Sequence, residues 1–336
     1  MNLEPLQESF LSFQKSATKQ IQGFVIGTTA HFNSTGDYYT TPNRETELVS
    51  YFGVVVKDVN AAKDIAAFID GKVNYVFVDT EKKIPKANYG DGDVGNLEKA
   101  LSPFIEKSQM LAFKGNDLTV RATDVLLRSL LPDATSIKIA IIGVGSVGTK
   151  VALSLLERGA SVQLFSRDAS HADKTAGLLN AIKPSSVLVC CSSAKDIKDA
   201  FINASTVIAT TSMKNFITQD LVELCKLPDS WTSPILIDVG KGCFTREVLK
   251  QNQIVYRVDI EEELNSDIDA LVRMNSLLKI EPFLQYTEKS RLVRRGLVGL
   301  PGDLIVDNPK RPIRIVGECA ENGLLIPYQR EKPNKM

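Results

Sequence analysis

Gly143, Gly145 and Gly148 stand at the spacing Gly-x-Gly-x-x-Gly, inside the run KIAIIGVGSVG at 138–148. The apolar residues 139–142 read as a strand and 148–158 as a helix, the setting that this spacing needs to mean dinucleotide binding. The three glycines serve different ends. Gly143 permits a tight turn, Gly145 lets the main chain approach a pyrophosphate, and Gly148 lets the helix pack against the strand. The amides of Ser146, Val147 and Gly148 then open a helix, where free N–H groups and the positive dipole end favour phosphate. The plain alternative is a strand-to-helix turn that binds nothing.

The tip of the next strand, 162–165, selects between nucleotides. An acid there accepts hydrogen bonds from ribose hydroxyls, whereas a base takes a 2′-phosphate. The chain has Ser166-Arg167-Asp168. A guanidinium forks onto phosphate and a serine hydroxyl adds a donor. We therefore expect NADP, with NAD as the alternative if Asp168 reaches the ribose. Thr210, Thr211 and Ser212 end a strand at 207–209, and Val239 and Gly240 follow one at 235–238. Both sets are expected to face the cofactor, the second because glycines at a strand end suggest close approach of a ligand; two tight turns that meet no ligand are the alternative for the second.

These residues need elements to carry them. The pattern predicts helices over 1–20, 45–52, 61–69, 97–104 and 118–131, with strands at 23–28, 54–56 and 73–78. Polar loops are expected at 31–43 and 84–95. Strand–helix alternation of this kind makes an α/β layer with a largely parallel sheet. Six further strands follow, at 139–142, 162–165, 187–190, 207–209, 235–238 and 254–257, most of them separated by helical segments. That is a doubly wound pattern. A charged helix from 259 and a hairpin (303–306 with 312–316) complete the chain. The expected fold class is thus α/β: an N-terminal substrate-binding α/β domain (1–118), an NAD(P)-binding Rossmann domain (119–260) and a C-terminal helix and hairpin extension (261–336). The extension is expected to pack on the first domain or on a partner subunit, so a homodimer is one expectation.

Composition narrows the classes. The 336 residues carry 40 Lys+Arg against 40 Asp+Glu, 43% hydrophobic and 24% charged residues. A zero net charge gives no global field that favours nucleic acid or an anionic membrane, so neither is an expected partner. No apolar run approaches the ~18 residues of a membrane span, and the acidic N-terminus does not resemble a secretory signal. Five cysteines, all after residue 189, form no CxxC or Cys/His cluster, so no metal site is expected. A reducing, cytoplasmic setting is expected. His31 and His171 read as surface residues.

The run 123–130 (TDVLLRSL), the Gly143 motif and Ser166-Arg167-Asp168 together resemble the shikimate dehydrogenase superfamily, which includes glutamyl-tRNA reductase and methylene-tetrahydrofolate dehydrogenase. Ala122 and Ser166 stand where shikimate dehydrogenases have Asn. The stretch from Leu236-Ile237-Asp238 to Val258-Asp259 is similar to the last strands of glutamyl-tRNA reductase. Tyr51-Phe52-Gly53, Asp58 and Asp79 are similar to the dehydrogenase of pyrrolysine biosynthesis. The resemblance implies a substrate domain ahead of an NADP domain, and a lysine acid/base often paired with aspartate. Lys82 and Lys83, after the strand 73–78, are the candidates, with Asp124 as partner. A lysine pair there also reads as a solvated turn. Asn116 is expected to bind substrate or to cap the helix after it. The N-terminal cysteine of glutamyl-tRNA reductase and the Asn-Val-Thr-x-Pro-x-Lys pattern of shikimate dehydrogenase are absent.

The expected function is NADP-dependent hydride transfer to or from a small polar metabolite, at a carbonyl/hydroxyl or imine/amine. Two alternatives stand beside it. One is an acyl-thioester reductase using Cys243 or Cys319. The other is a non-catalytic NADP-binding sensor.

Overall fold

A computed structural model describes the chain except for residues 30, 31, 33, 82, 85–95, 226, 228–232, 252, 253, 289 and 328–336. His31, Lys82 and most of the 84–95 loop lie outside the described residues. The described chain divides into two compact units, Met1–Asp267 and Ile268–Met336.

The first unit opens with α1 (Glu4–Ser16), whose Leu6, Phe10 and Phe13 are buried. These positions fall on one helical face. The strands are β1 (Ile21–Thr28), β2 (Tyr38–Thr40), β3 (Arg44–Glu45), β4 (Val49–Val56), β5 (Tyr75–Asp79) and β6 (Gln109–Phe113), with α2 (Val59–Ile69) and α3 (Leu97–Leu101) between them. They form one sheet in the order β2-β4-β1-β5-β6, with β3 also on β4. The four strands β4, β1, β5 and β6 run parallel. The helix expected at 45–52 does not form. Thr46 Oγ1 accepts the amides of Leu48 (3.2 Å) and Val49 (2.9 Å), which makes a turn. The β-branched and aromatic residues beyond it enter β4, most of them buried between its neighbours. A side-chain oxygen that captures backbone donors competes directly with helix, and residues such as Val49, Tyr51 and Phe52 suit a buried strand.

Helix α4 (Gly115–Leu130) leads to a second sheet. Its elements are β7 (Lys138–Ile142), α5 (Ser146–Glu157), β8 (Ser161–Phe165), α6 (Ala169–Ile182), β9 (Cys191–Ser193), α7 (Ile197–Phe201), β10 (Thr206–Ala209), α8 (Gln219–Val222), β11 (Ile235–Asp238), α9 (Arg246–Lys250) and β12 (Val255–Arg257). The order β12-β11-β10-β7-β8-β9 is the doubly wound arrangement, and every pair is parallel. The strand order reverses between β7 and β10, and ligands of such sheets bind outside the strand ends at that point. The strand expected at 187–190 is irregular. Leu188 is 91% exposed, and pairing begins only at Cys191, whose N–H and C=O are both bonded by the Asn180 amide at 2.8 Å.

Helix α10 (Glu261–Leu278) follows. The second unit holds β13 (Phe283–Gln285), β14 (Arg291–Arg294), β15 (Leu304–Val306), β16 (Ile315–Cys319) and β17 (Leu325–Pro327), joined in sequence order. The expected hairpin is β15–β16. Val293, Ile305 and Cys319 form the small core of this sheet. Among the described residues no helix is long and apolar enough to cross a membrane.

Candidate active site: a glycine turn and a half-buried lysine

The glycine turn joins β7 to α5 at the switch point. Gly143 has φ +108°, and a Cβ there would lie 2.8 Å from the Thr211 amide nitrogen. A Cβ on Gly148 would lie 2.2 Å from the Gly143 carbonyl oxygen. Main-chain crowding therefore requires both glycines. Gly145 differs: a Cβ there would meet nothing within 4 Å. It is the N-cap of α5, and no side chain caps that helix. The amides of the first turn, which have no partner inside a helix, thus open beside empty space. Crowded flanks, an open centre and an uncapped helix fit a bound pyrophosphate.

A cavity of about 290 Å³ lies over the turn, with Gly143, Gly145, Ser166, Arg167, Thr211 and Ser212 in its wall. Arg167 is exposed and Ser166 half-buried. Asp168 caps α6, its Oδ1 accepting the His171 amide at 3.2 Å. Thr210 also lines the cavity, but its hydroxyl is engaged within the protein, donating to the Gly143 carbonyl at 2.6 Å. Val239 and Gly240 stand elsewhere. Their amides both donate to the Ala209 carbonyl at 2.9 Å, and a Cβ on Gly240 would fall 1.8 Å from the Thr211 carbonyl oxygen. Gly240 is thus a glycine because two strand ends touch, which is the tight-turn alternative for this stretch.

The lysine lies at the ends of β5 and β6. Lys83 Nζ donates to Asp79 Oδ2 at 2.8 Å and pairs with Glu81 Oε2 at 3.1 Å, with 16% of its side chain exposed. Asp79 is itself buried. It also accepts from Thr28 Oγ1 (3.0 Å) and from the amides of Glu81 (3.1 Å) and Gly115 (3.3 Å). Glu81 Oε2 takes the Asn116 amide at 2.6 Å. Asn116 therefore sits in the first turn of α4 and contributes its backbone, while the N-cap position belongs to Lys114. A Cβ on Gly115 would lie 2.5 Å from Lys83 Nζ, so the glycine makes room for the ammonium. The solvated-turn reading does not describe this lysine.

Asp124 does not join the cluster. It lies nine residues beyond Gly115 on α4, about 13.5 Å along the helix. Its carboxylate accepts from Ser154 Oγ (2.6 Å) and pairs with Arg128 (2.7 Å). Together with the Lys150–Asp117 ion pair it fixes the register of two helices. Contacts 117–150 and 124–154 advance in the same direction, so α4 and α5 run side by side with their N-termini at one end. The Lys83 cluster and the glycine turn share that end. A second cavity of about 650 Å³ adjoins the cluster, walled by Thr80, Phe113, Lys114, Asp117, Arg121 and Asp267. It mixes both charge signs with apolar surface.

Residues 130–239 match the model of a family described as "Putative NAD(P)-binding". No curated protein sequence matches the chain. Among solved structures, L-tryptophan dehydrogenase from Nostoc punctiforme is 9% identical over 77% of this chain and 82% of its own, with a TM-score of 0.40. Ornithine carbamoyltransferase from Pyrococcus furiosus is 10% identical over 79% and 90%, also at 0.40. Glutamyl-tRNA reductase from Methanopyrus kandleri is 18% identical over 47% and 37%, at 0.33. Dehydrogenases and a carbamoyltransferase stand side by side at these scores, so the likenesses carry nothing about the reaction.

Two cysteines bear on the thioester alternative, Cys243 and Cys319. Cys243 is buried, its thiol 3.2 Å from the Thr211 carbonyl oxygen as a donor. Burial first, and the Asp238 carboxylate second, push its pKa up to about 12. A nucleophilic cysteine needs the opposite, a thiolate at neutral pH. Cys319 is buried in the second unit. His171 is exposed, as its surface reading expects, yet its Nε2 lies 2.8 Å from the Val144 carbonyl oxygen of the glycine turn, a contact that sequence reasoning does not anticipate. Its place as the third residue of α6, next to the specificity tip, is the available signal.

Proposed function

We propose that the chain is an NADP-dependent oxidoreductase that moves a hydride to or from a small polar metabolite, at a carbonyl/hydroxyl or an imine/amine. The observation that carries this reading is the shared end of α4 and α5: the uncapped glycine turn and Lys83 lie at the same ends of parallel neighbouring helices.

When bound, the nicotinamide supplies or accepts the hydride. Gly145 and the first-turn amides of Ser146 and Val147 hold the pyrophosphate. Ser166 and Arg167 take the 2′-phosphate of NADP, because Asp168 is engaged as a helix cap. Lys83 holds the proton that the substrate oxygen or nitrogen gains or loses, and Asp79, Glu81 and Thr28 fix its Nζ in place. Asp79 thus replaces Asp124 as the aspartate beside the lysine. The mixed charges of Lys114, Asp117, Arg121 and Asp267 suit a polar substrate.

The test is a screen of NADPH oxidation over keto acids, cyclic imines, quinones and pterins, repeated with Lys83→Met on any active compound. Turnover that falls about 10²- to 10⁴-fold, the range for losing a general acid, supports the assignment. Tight NADP binding with no turnover on any class points instead to the sensor reading. Full activity of Lys83→Met removes the lysine from the chemistry.

A further inference from the structure

We propose that His171 is a positioning residue for the dinucleotide: it orients the backbone of the glycine turn and touches no part of the cofactor. The inference rests on the NAD(P)-binding reading of that turn. A carbonyl oxygen only accepts, so the 2.8 Å contact between His171 Nε2 and the Val144 oxygen places a hydrogen on Nε2. The peptide after Val144 is planar and trans, so its C=O and the N–H of Gly145 point in opposite directions. Pulling the Val144 oxygen toward α6 therefore turns the Gly145 amide away from α6. The preceding carbonyl is tied in the same way: Thr210 Oγ1 donates to the Gly143 oxygen at 2.6 Å, which turns the Val144 amide the other way. The Gly145 carbonyl accepts the Thr149 amide inside the helix. All three carbonyls of the turn are thus bonded on the protein side.

Two side chains from different elements, His171 on α6 and Thr210 after β10, set the direction of two successive amides. A phosphate rewards such preset donors, because no reorganisation is left to be done on binding. Gly145 has open space on the side where its Cβ would be. The contact is also selective in what it predicts. The pyrophosphate is common to NAD and NADP, whereas the 2′-phosphate meets Ser166 and Arg167.

The experiment is calorimetric titration of NADP, NAD and adenosine 2′-monophosphate into the wild-type chain, His171→Ala, His171→Gln and Arg167→Ala, with a thermal melt of each. His171→Ala is expected to weaken NADP and NAD by the same factor, about tenfold, and to leave adenosine 2′-monophosphate unchanged. His171→Gln, whose amide N–H also donates, is expected to recover most of the loss. Arg167→Ala is expected to give the complementary pattern, weakening NADP and adenosine 2′-monophosphate while sparing NAD. Unchanged affinities in His171→Ala overturn the proposal. So does a loss confined to NADP and adenosine 2′-monophosphate, which makes His171 a direct phosphate ligand. An equal loss for all three ligands with a lowered melting temperature also overturns it, as general damage to α6. A wild-type chain that binds neither dinucleotide overturns the NAD(P) reading itself, a result distinct from each of these.

Discussion

Two glycine-bearing turns follow parallel strands of the same sheet, Gly143-Val144-Gly145 after β7 and Val239-Gly240 after β11. In sequence they read alike, and both invite a ligand. Their surroundings are opposite. Gly145 faces open space, while a Cβ on Gly240 would fall 1.8 Å from the Thr211 carbonyl oxygen. The first leaves room for something from outside; the second is a glycine for what is already there. A missing side chain records a close approach without saying whose.

The comparison breaks most visibly on stability. Gly240→Ala drives a methyl into backbone that has no soft end to yield, and overpacking of this kind costs about 1–3 kcal/mol, with the rigid neighbour placing this site at the upper end. A melt should show a clear fall in Tm. Gly145→Ala should keep the fold to within about 1 kcal/mol, the loss of a glycine N-cap, and instead weaken dinucleotide binding about tenfold. If both variants lose stability alike, or Gly145→Ala binds as the wild type does, the contrast is wrong. Next in size, Arg167→Ala should lose about tenfold or more in NADP affinity, the scale of a charge-assisted hydrogen bond, with NAD unaffected. A third test concerns the thiol at the second turn. With its pKa pushed up to about 12, Cys243 is protonated at neutral pH, and its thiolate appears only as pH rises toward that value. Alkylation of the native protein at pH 7–8 should therefore spare it. Fast labelling of Cys243 at pH 7 would reopen thioester chemistry. The smallest expected change in stability is at Gly115→Ala. The fold should hold while turnover drops, because the new methyl would lie 2.5 Å from Lys83 Nζ before that side chain moves aside.

The glycine turn is legible in the sequence because its parts are contiguous: strand, turn and helix sit within residues 138–158, and each type has a local physical meaning. The lysine cluster is legible only in pieces. Lys83 can be nominated from its place after β5, but its partners come from Thr28, Asp79, Glu81 and Gly115, brought together by a parallel sheet. Asp124 looks the better partner because it lies in a recognisable motif, yet helix geometry carries it about two and a half turns away. The strand β4 reads as a helix in part because a short apolar run has no decisive period; the Thr46 turn decides it. Strand β6 escapes sequence reasoning for a similar reason. Its Gln109-Met110-Leu111-Ala112 stretch is only half-buried, and pairing with β5 supplies what its pattern does not.

Asp168 is the N-cap of α6, and under the proposed NADP reading this bears on how the nucleotide preference can change. An aspartate freed to bind ribose hydroxyls would leave the helix uncapped, at a cost of about 1 kcal/mol. A new acid at position 166 would escape that cost and would also remove the serine that accepts the Asp168 amide at 3.3 Å. The two routes to the other nucleotide are therefore unequal, and an evolving or engineered chain has reason to change residue 166 before it disturbs residue 168.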